Sequence, residues 1–337
     1  TSAVIMPKLL KKAGYLNVSF EKSQMVPDGN FSTVTSPNPE EIESMNLALK
    51  LANKKNADMV IGTDPDADRL GVAVRDLDNK LTLINGNQLM ILIFDYILKL
   101  KSNSHKLNKN YFIASTIVST PMVKSIANDY GVDCKLSLTG FKWIAKMIED
   151  YPSQKFIVGG EESFGLMIGD EVRDKDAITA SLTAYEMMSY YKQNNSSVYK
   201  ELIKLYCKYG FFKEKLVSIV KEGKKGQIEI DNLIEKFRKN PLTQISTSKV
   251  KYVVDYQNSI RKNIITQELE IINLPVSNVI EFESVDGYKL IFRPSGTEPK
   301  IKMYISVNLK IKSISEFKKV NLILDKKLDK IAAQVNL

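Results

Sequence analysis

Three short loops hold the residue types that could do chemistry. The first, Thr63-Asp64-Pro65-Asp66-Ala67-Asp68-Arg69, follows a short apolar run and sets aspartates at alternate positions. In an extended or turning loop, alternate residues point to one side, so Asp64, Asp66 and Asp68 can converge on a hard cation. Without a cation they would repel one another. Mg2+ suits three protein oxygens because it leaves its other positions to water or phosphate. Pro65 stiffens the turn, and Arg69 can pair with an aspartate or a phosphate. The competing reading is a solvated acidic turn. A calcium-binding EF-hand is excluded, since it needs Gly at its sixth position and Glu at its twelfth, where this loop has Arg69 and Arg75.

The second loop, Gly159-Gly160-Glu161-Glu162-Ser163-Phe164-Gly165, ends a short apolar segment. Paired glycines free the backbone for an unusual turn at the carboxyl edge of a strand, where open α/β sheets bind ligands. Glutamate and serine suit sugar hydroxyls, since each accepts hydrogen bonds and serine also donates. An ordinary polar turn is the alternative. The third loop, Arg293-Pro294-Ser295-Gly296-Thr297-Glu298-Pro299-Lys300, gathers an arginine, two hydroxyls around a glycine, and a lysine. Arginine grips phosphate with two parallel bonds, and Gly296 lets backbone N–H groups turn toward an anion. Pro and Gly would also suit a plain hairpin turn.

The intervening pattern positions these loops. Residues 1–13 read as an amphipathic helix stopped by Gly14, and residues 16–20 as a short strand. Asn38-Pro39-Glu40-Glu41 is a helix start, with Ile42, Met45, Leu49 and Ala52 on its apolar face. Residues 59–62, 70–74 and 81–84 are strands around the acidic loop. A second α/β unit follows: helices at 87–100, 121–130, 141–150, 176–192 and 198–208, with strands at 112–118 and 156–158. From about Gly210 strands dominate, at 211–221, 250–256, 279–284, 289–292 and 301–307. A helix at 228–239 and a final one from Ser313 accompany them, Glu316 completing a capping box with Ser313. Residues 240–248 and 258–267 are expected to be flexible. The fold class is therefore α/β: two similar mixed-sheet domains, then a smaller α+β domain.

Composition narrows the function. The 337 residues carry 48 Lys and Arg against 39 Asp and Glu, for a net charge of +9. The lysines are spread throughout and no aromatic–basic stripe appears, so nucleic-acid binding is not expected. No apolar run is long enough to span a bilayer. Cys134 and Cys207 are too few for a disulfide framework or a zinc site, and a reducing cytoplasm is the natural compartment. The one histidine, His105, sits in a polar stretch that reads as a loop, leaving histidine-based catalysis little to use. The chain opens without Met, as expected of a start inside a larger protein.

In this order and spacing the loops resemble those of the α-D-phosphohexomutase family, which includes phosphoglucomutase and phosphomannomutase. Residues 63–69 resemble its metal loop, 160–163 its sugar-recognition loop and 293–297 its phosphate-binding loop. Leu138-Thr139-Gly140-Phe141-Lys142-Trp143 is similar to a substrate-binding segment of the family's third domain. Val172-Arg173-Asp174-Lys175-Asp176 resembles the stretch after the sugar loop, and Ser36-Pro37-Asn38-Pro39 a part of the second domain. The resemblance implies four domains, of which residues 1–85, 86–210 and 211–337 would be most of the second, the third and the fourth. The first would carry a phosphorylated serine in a Thr-Ala-Ser-His-Asn-Pro-like loop, and no such loop occurs in this sequence.

The resemblance further implies phosphoryl transfer between C1 and C6 of a hexose phosphate through a hexose 1,6-bisphosphate. Mg2+ would be held by Asp64, Asp66, Asp68 and the phosphoserine. Glu161 and Ser163 would hold sugar hydroxyls, and Lys142 the substrate. Arg69 would face the phosphoserine region, and Arg293, Ser295, Gly296 and Thr297 would clamp the other phosphate. Phe141 and Gly165 stand where relatives place histidines, so no general base is assigned. Without the serine, this chain alone is expected to be inactive. Alternatives are a non-catalytic magnesium- and phosphosugar-binding module, or a phosphopentomutase or phosphoglucosamine mutase of the same family. The Glu161-Glu162-Ser163 loop with Lys142 leans toward glucose or pentose substrates.

Overall fold

The computed structural model describes residues 1–104, 106–296 and 298–335, and the chain divides into two compact units, Thr1–Leu205 and Tyr206–Leu337. In the first unit, α1 (Ser2–Lys12) buries Met6 and Leu10 and carries Lys11 and Lys12 in its last turn, where they favour the helix dipole. Residues 16–20, expected to be a strand, join no ladder. A strand needs a neighbour for its backbone groups. Residues 17–21 instead line a cavity of about 550 Å3 whose lining also includes Met59–Thr63.

The helix expected from Asn38 also begins later. Asn38 Oδ1 accepts the Glu40 N–H at 3.1 Å, and Glu41 N–H donates to the Asn38 carbonyl, so the asparagine closes a turn. A short 3-10 segment, Ile42–Met45, then leads into α2 (Asn46–Lys55). β1 (Met59–Thr63), β2 (Leu70–Arg75) and β3 (Leu81–Ile84) form an antiparallel sheet in that order. Met45 and Ala52 pack on it with Val60 and Ala73. Without a ladder from residues 16–20, this first sheet has no parallel pair.

α3 (Gly86–Ser104) buries most of its first three turns. β4 (Tyr111–Thr116), α4 (Met122–Asp129), β5 (Asp133–Ser137), α5 (Phe141–Asp150), β6 (Lys155–Gly160) and β7 (Leu166–Ile168) follow. The sheet order is β5-β4-β6-β7, parallel except for β7. Phe141, Ile144 and Met147 of α5 pack on Phe112, Ala114, Phe156 and Met167. α6 (Ala177–Gln193) is capped by Asp176, whose carboxylate accepts the Ile178 and Thr179 N–H groups. It packs against α1, α3, β1, β2 and β7, so one helix braces both sheets of the first unit. α7 (Val198–Tyr209) contains the boundary between the units. His105 lies outside the described residues.

The second unit is an antiparallel sheet. β8 (Phe211–Val220), α8 (Gly223–Lys239), β9 (Gln244–Ile245), β10 (Ser248–Asp255), β11 (Ile260–Asn263) and β12 (Leu269–Ile271) come first. β13 (Ile280–Ser284), β14 (Lys289–Pro294), β15 (Lys300–Leu309) and α9 (Phe317–Gln334) complete it. The order is β12-β11-β10-β13-β14-β15-β8, with β9 paired to β10. The segments expected to be flexible thus hold β9 and β11. β11 is polar, but Arg261 lies over the Tyr252 ring at 3.5 Å and bonds Glu270 at 2.9 Å, which ties it to the strands on either side. The expected capping box also differs: Glu316 accepts the N–H of Lys312 at 2.9 Å, and the Ser313 side chain makes no cap bond.

The sheet buries an ion pair. Lys289 Nζ lies 2.6 Å from Glu281, whose other oxygen accepts the Tyr256 hydroxyl at 2.8 Å. Removing one partner of such a pair leaves an uncompensated buried charge. Lys289→Met is therefore expected to cost roughly 3–5 kcal/mol in urea unfolding. The double variant Lys289→Met/Glu281→Gln should recover much of that loss. A cost below about 1 kcal/mol for the single change would contradict this account of the pair.

Candidate functional site

The acidic loop is the tip of the β1–β2 hairpin, closed by the pairing of Thr63 with Leu70. Asp64 folds its carboxylate back over the tip, where Oδ1 accepts the N–H of Asp68 at 3.0 Å and of Arg69 at 3.1 Å. Ala67 takes a left-handed conformation (φ +59°) and donates its N–H to the Asp64 carbonyl. Asp66 is exposed. Arg69 pairs with Glu40 at 3.4 Å and stands 3.9 and 4.0 Å from Asp64 and Asp68.

The glycine–glutamate loop runs from β6 to β7 and is laced to this tip by backbone bonds. Leu70 N–H donates to the Phe164 carbonyl at 3.0 Å, and Arg69 bridges Gly165. From the other side, Ala177 N–H donates to the Ala67 carbonyl and Asp176 N–H to the Leu166 carbonyl. Lys175, between these anchors, places its ammonium on Asp68 Oδ2. The 64–70, 161–166 and 175–177 segments are thus one bonded assembly.

Its two glutamates have different surroundings. Glu161 is 6 % exposed, and its Oε1 accepts the N–H of Gly140 at 2.8 Å. Gly140, at φ +110°, precedes α5 in a backbone conformation that other residues rarely adopt. Lys142 is exposed in the first turn of α5, with its ammonium 5.1 Å from the Trp143 ring centroid. Glu162 Oε2 accepts from the hydroxyls of Thr116 and Ser119 at 3.2 and 3.1 Å, at the carboxyl end of β4. Close approach holds this turn: a Cβ on Gly86 would come within 2.0 Å of the Glu162 carbonyl oxygen. Ser163 is half-buried in the same turn.

Charge follows geometry. Burial raises the Asp64 carboxyl above the usual range, and the N–H groups of Arg69 and Asp68 only partly offset it. Burial also pushes Asp68 upward, but the Lys175 ammonium on it, the neighbouring Asp64 and the Arg69 guanidinium outweigh it and hold Asp68 low. Glu161 is raised by burial and then by the Glu162 charge. Among the described residues, no three acidic, Cys or His side chains stand gathered as a cation ligand set. Asp64 is turned onto its own backbone, and Asp68 is met by Lys175. The hard oxygens nonetheless fit a cation in kind, and Asp68 Oδ1 is a buried carboxylate oxygen without a hydrogen-bond partner.

In the second unit, the anion loop is the tip between β14 and β15. Arg293 pairs with Lys302 across the ladder, and Ser295 N–H donates to the Lys300 carbonyl at 2.7 Å. Arg293 and Ser295 are half-buried, Gly296 is exposed, and a Cβ on Gly296 would meet nothing within 4 Å. Thr297 lies outside the described residues. The sequence did not assign roles to Lys175, Glu40, Thr116 or Ser119. Lys175 sits in a segment already singled out, and only its contact with Asp68 was missing.

Comparison with known proteins identifies the class. Residues 1–78 match the family model for phosphoglucomutase/phosphomannomutase alpha/beta/alpha domain II, and residues 85–206 that for domain III. The chain belongs to this family, the α-D-phosphohexomutases. Phosphoglucomutase of Staphylococcus epidermidis is 37% identical over 309 residues, 91% of this chain and 56% of that protein. The chain spans about half the length of the curated relatives it matches. Among solved structures, the open form of parafusin (phosphoglucomutase) from Paramecium matches with a TM-score of 0.66 and 20% identity, over 98% of this chain and 56% of that one. N-acetylphosphoglucosamine mutase of Aspergillus fumigatus, in complex with GlcNAc-6P and magnesium, matches with a TM-score of 0.50 and 14% identity, over 98% and 63%. Among the described residues, no helix is long and apolar enough to cross a membrane.

The raised Glu161 carboxyl has a sign that can be tested. A carboxyl raised by folding contributes stability below its ordinary value and loses it as pH rises through the folded value. At neutral pH the native protein bears the full cost of the desolvated charge. Glu161→Gln keeps an acceptor for Gly140 and removes that charge. Its stability to urea is expected to match or exceed the native chain's at pH 7, with the advantage vanishing below about pH 4. A loss of more than about 1 kcal/mol at pH 7 would show that the ionised form is the stabilising one.

Proposed function

We propose that this chain supplies the metal, sugar and phosphate-recognition parts of a phosphohexomutase interconverting hexose 1-phosphate and hexose 6-phosphate, with glucose or mannose as the sugar. The observation that carries it is the bonded assembly of the acidic tip and glutamate loop, closed by Leu70 N–H on Phe164 and Ala177 N–H on Ala67. Family membership and the relatives named above support it from a second direction. Residues 1–85, 86–210 and 211–337 would correspond to the family's second, third and fourth domains.

Asp64, Asp66 and Asp68 would hold Mg2+, which would neutralise charge on the transferring phosphoryl group. The orphaned Asp68 oxygen and the magnesium in the Aspergillus relative support that assignment. Glu161, fixed against Gly140, and Ser163 would receive the sugar hydroxyls, and Lys142 would reach the substrate from α5. Arg69, already paired with Glu40, would face the phosphoserine. Arg293, Ser295, Gly296 and Thr297 would clamp the phosphate that is not reacting, and the open space at Gly296 gives an anion room to approach. The phosphoserine that donates and recovers the phosphoryl group has no counterpart loop in these 337 residues, so the pure chain would bind but not turn over substrate. The free thiols of Cys134 and Cys207 are compatible with a cytoplasmic setting.

Calorimetric titration of glucose 1,6-bisphosphate into the chain, with and without Mg2+, tests this reading. Saturable binding is expected, weakened about tenfold or more by Arg293→Ala through loss of charge-assisted bonds. Equal affinity in the variant would remove the phosphate loop from the site. A mutase rate measured for the pure chain would place the donor group within these residues.

A further inference from the structure

Lys175 holds an unusual position for a lysine near a cation loop. Its neighbours Asp176 and Ala177 are hydrogen-bonded to Leu166 and Ala67, so its backbone is fixed to both loops. Its stem lies against Gly165, where an added Cβ would come within 3.0 Å of Lys175 Cδ. Its ammonium takes Asp68 Oδ2, and the two side chains are only 23% and 26% exposed. Asp68 Oδ1, on the same carboxylate, is buried without a hydrogen-bond partner. Arg69 Nε stands 4.0 Å from that oxygen, so two cationic groups already flank the one carboxylate.

We propose that Lys175 is the resident counter-ion of the acidic tip and that a divalent cation must displace its ammonium from Asp68 to bind. This rests on the metal reading given above. Two positive groups on one partly desolvated carboxylate repel strongly, because screening by water is reduced there. Cation entry therefore releases an ammonium beside Gly165, the end of the glutamate loop. The exchange makes the cation and a phosphorylated ligand cooperative: a phosphate that takes up the released ammonium removes the competitor for Asp68. By linkage, each then raises the affinity of the other.

The test uses Mn2+ as the probe, titrated into the whole chain and followed by calorimetry and by the electron paramagnetic resonance of free Mn2+. Lys175→Gln and Lys175→Met are expected to bind Mn2+ about fivefold or more tightly than the native chain, within the usual range of site–site coupling. Lys175→Arg should stay near native affinity, and Asp68→Asn should weaken it. Urea unfolding of each variant shows whether it is folded, and two neutral replacements guard against failure of one. Equal or weaker Mn2+ binding in both would overturn the exchange while leaving the metal site standing. No Mn2+ binding by the native chain and these variants alike would remove the metal reading itself.

Discussion

Four carboxylates drawn into one bonded assembly are the constraint that the first unit must answer: Asp64 and Asp68 share a hairpin tip, and Glu161 and Glu162 occupy the turn laced to it. Each carboxylate is answered differently. Asp64 accepts the N–H groups of Asp68 and Arg69, Asp68 meets Lys175, Glu161 takes the N–H of Gly140, and Glu162 takes two hydroxyls at the β4 end. Lys175 brings a full positive charge onto Asp68, and Arg69 brings a second to 3.9 Å from Asp64 and 4.0 Å from Asp68. The N–H and hydroxyl groups are dipoles, which lower the cost of burial without cancelling the charge. That imbalance accounts for the raised Asp64 and Glu161 beside a depressed Asp68.

The second unit handles buried charge in the opposite way. Lys289 and Glu281 pair within the sheet, and Tyr256 satisfies the second oxygen. The pair joins β13 to β14, the strand that ends in Arg293 and Pro294.

Much of this was legible in the sequence, and the failures have a common cause. The hairpin flanking the acidic loop showed through its short apolar runs, and the helices α3, α5, α6 and α7 were expected within four residues of their bounds. β5 did not, being only five residues long and mostly half-buried, and its identity comes from its parallel ladder to β4. β11 was hidden for a similar reason, being polar and held by neighbours on both sides. Residues 16–20 erred the other way, with the composition of a strand but no partner. The site shows the same limit. Residue types and order named the loops, whereas the Glu162 bonds to Thr116 and Ser119 and the Lys175 contact with Asp68 join residues 46, 43 and 107 positions apart.

That last separation also has a meaning in time. The β1–β2 hairpin is a local structure, able to close within microseconds of its residues being free. Its counter-ion arrives only after a further 107 residues have been made, roughly 5 to 20 s later at ordinary rates of synthesis. β4, β6 and β7 all lie in the sequence between the tip and the segment carrying Lys175, which is anchored to Leu166 and Ala67. On a growing chain, the acidic tip is complete 107 residues before the lysine that meets Asp68.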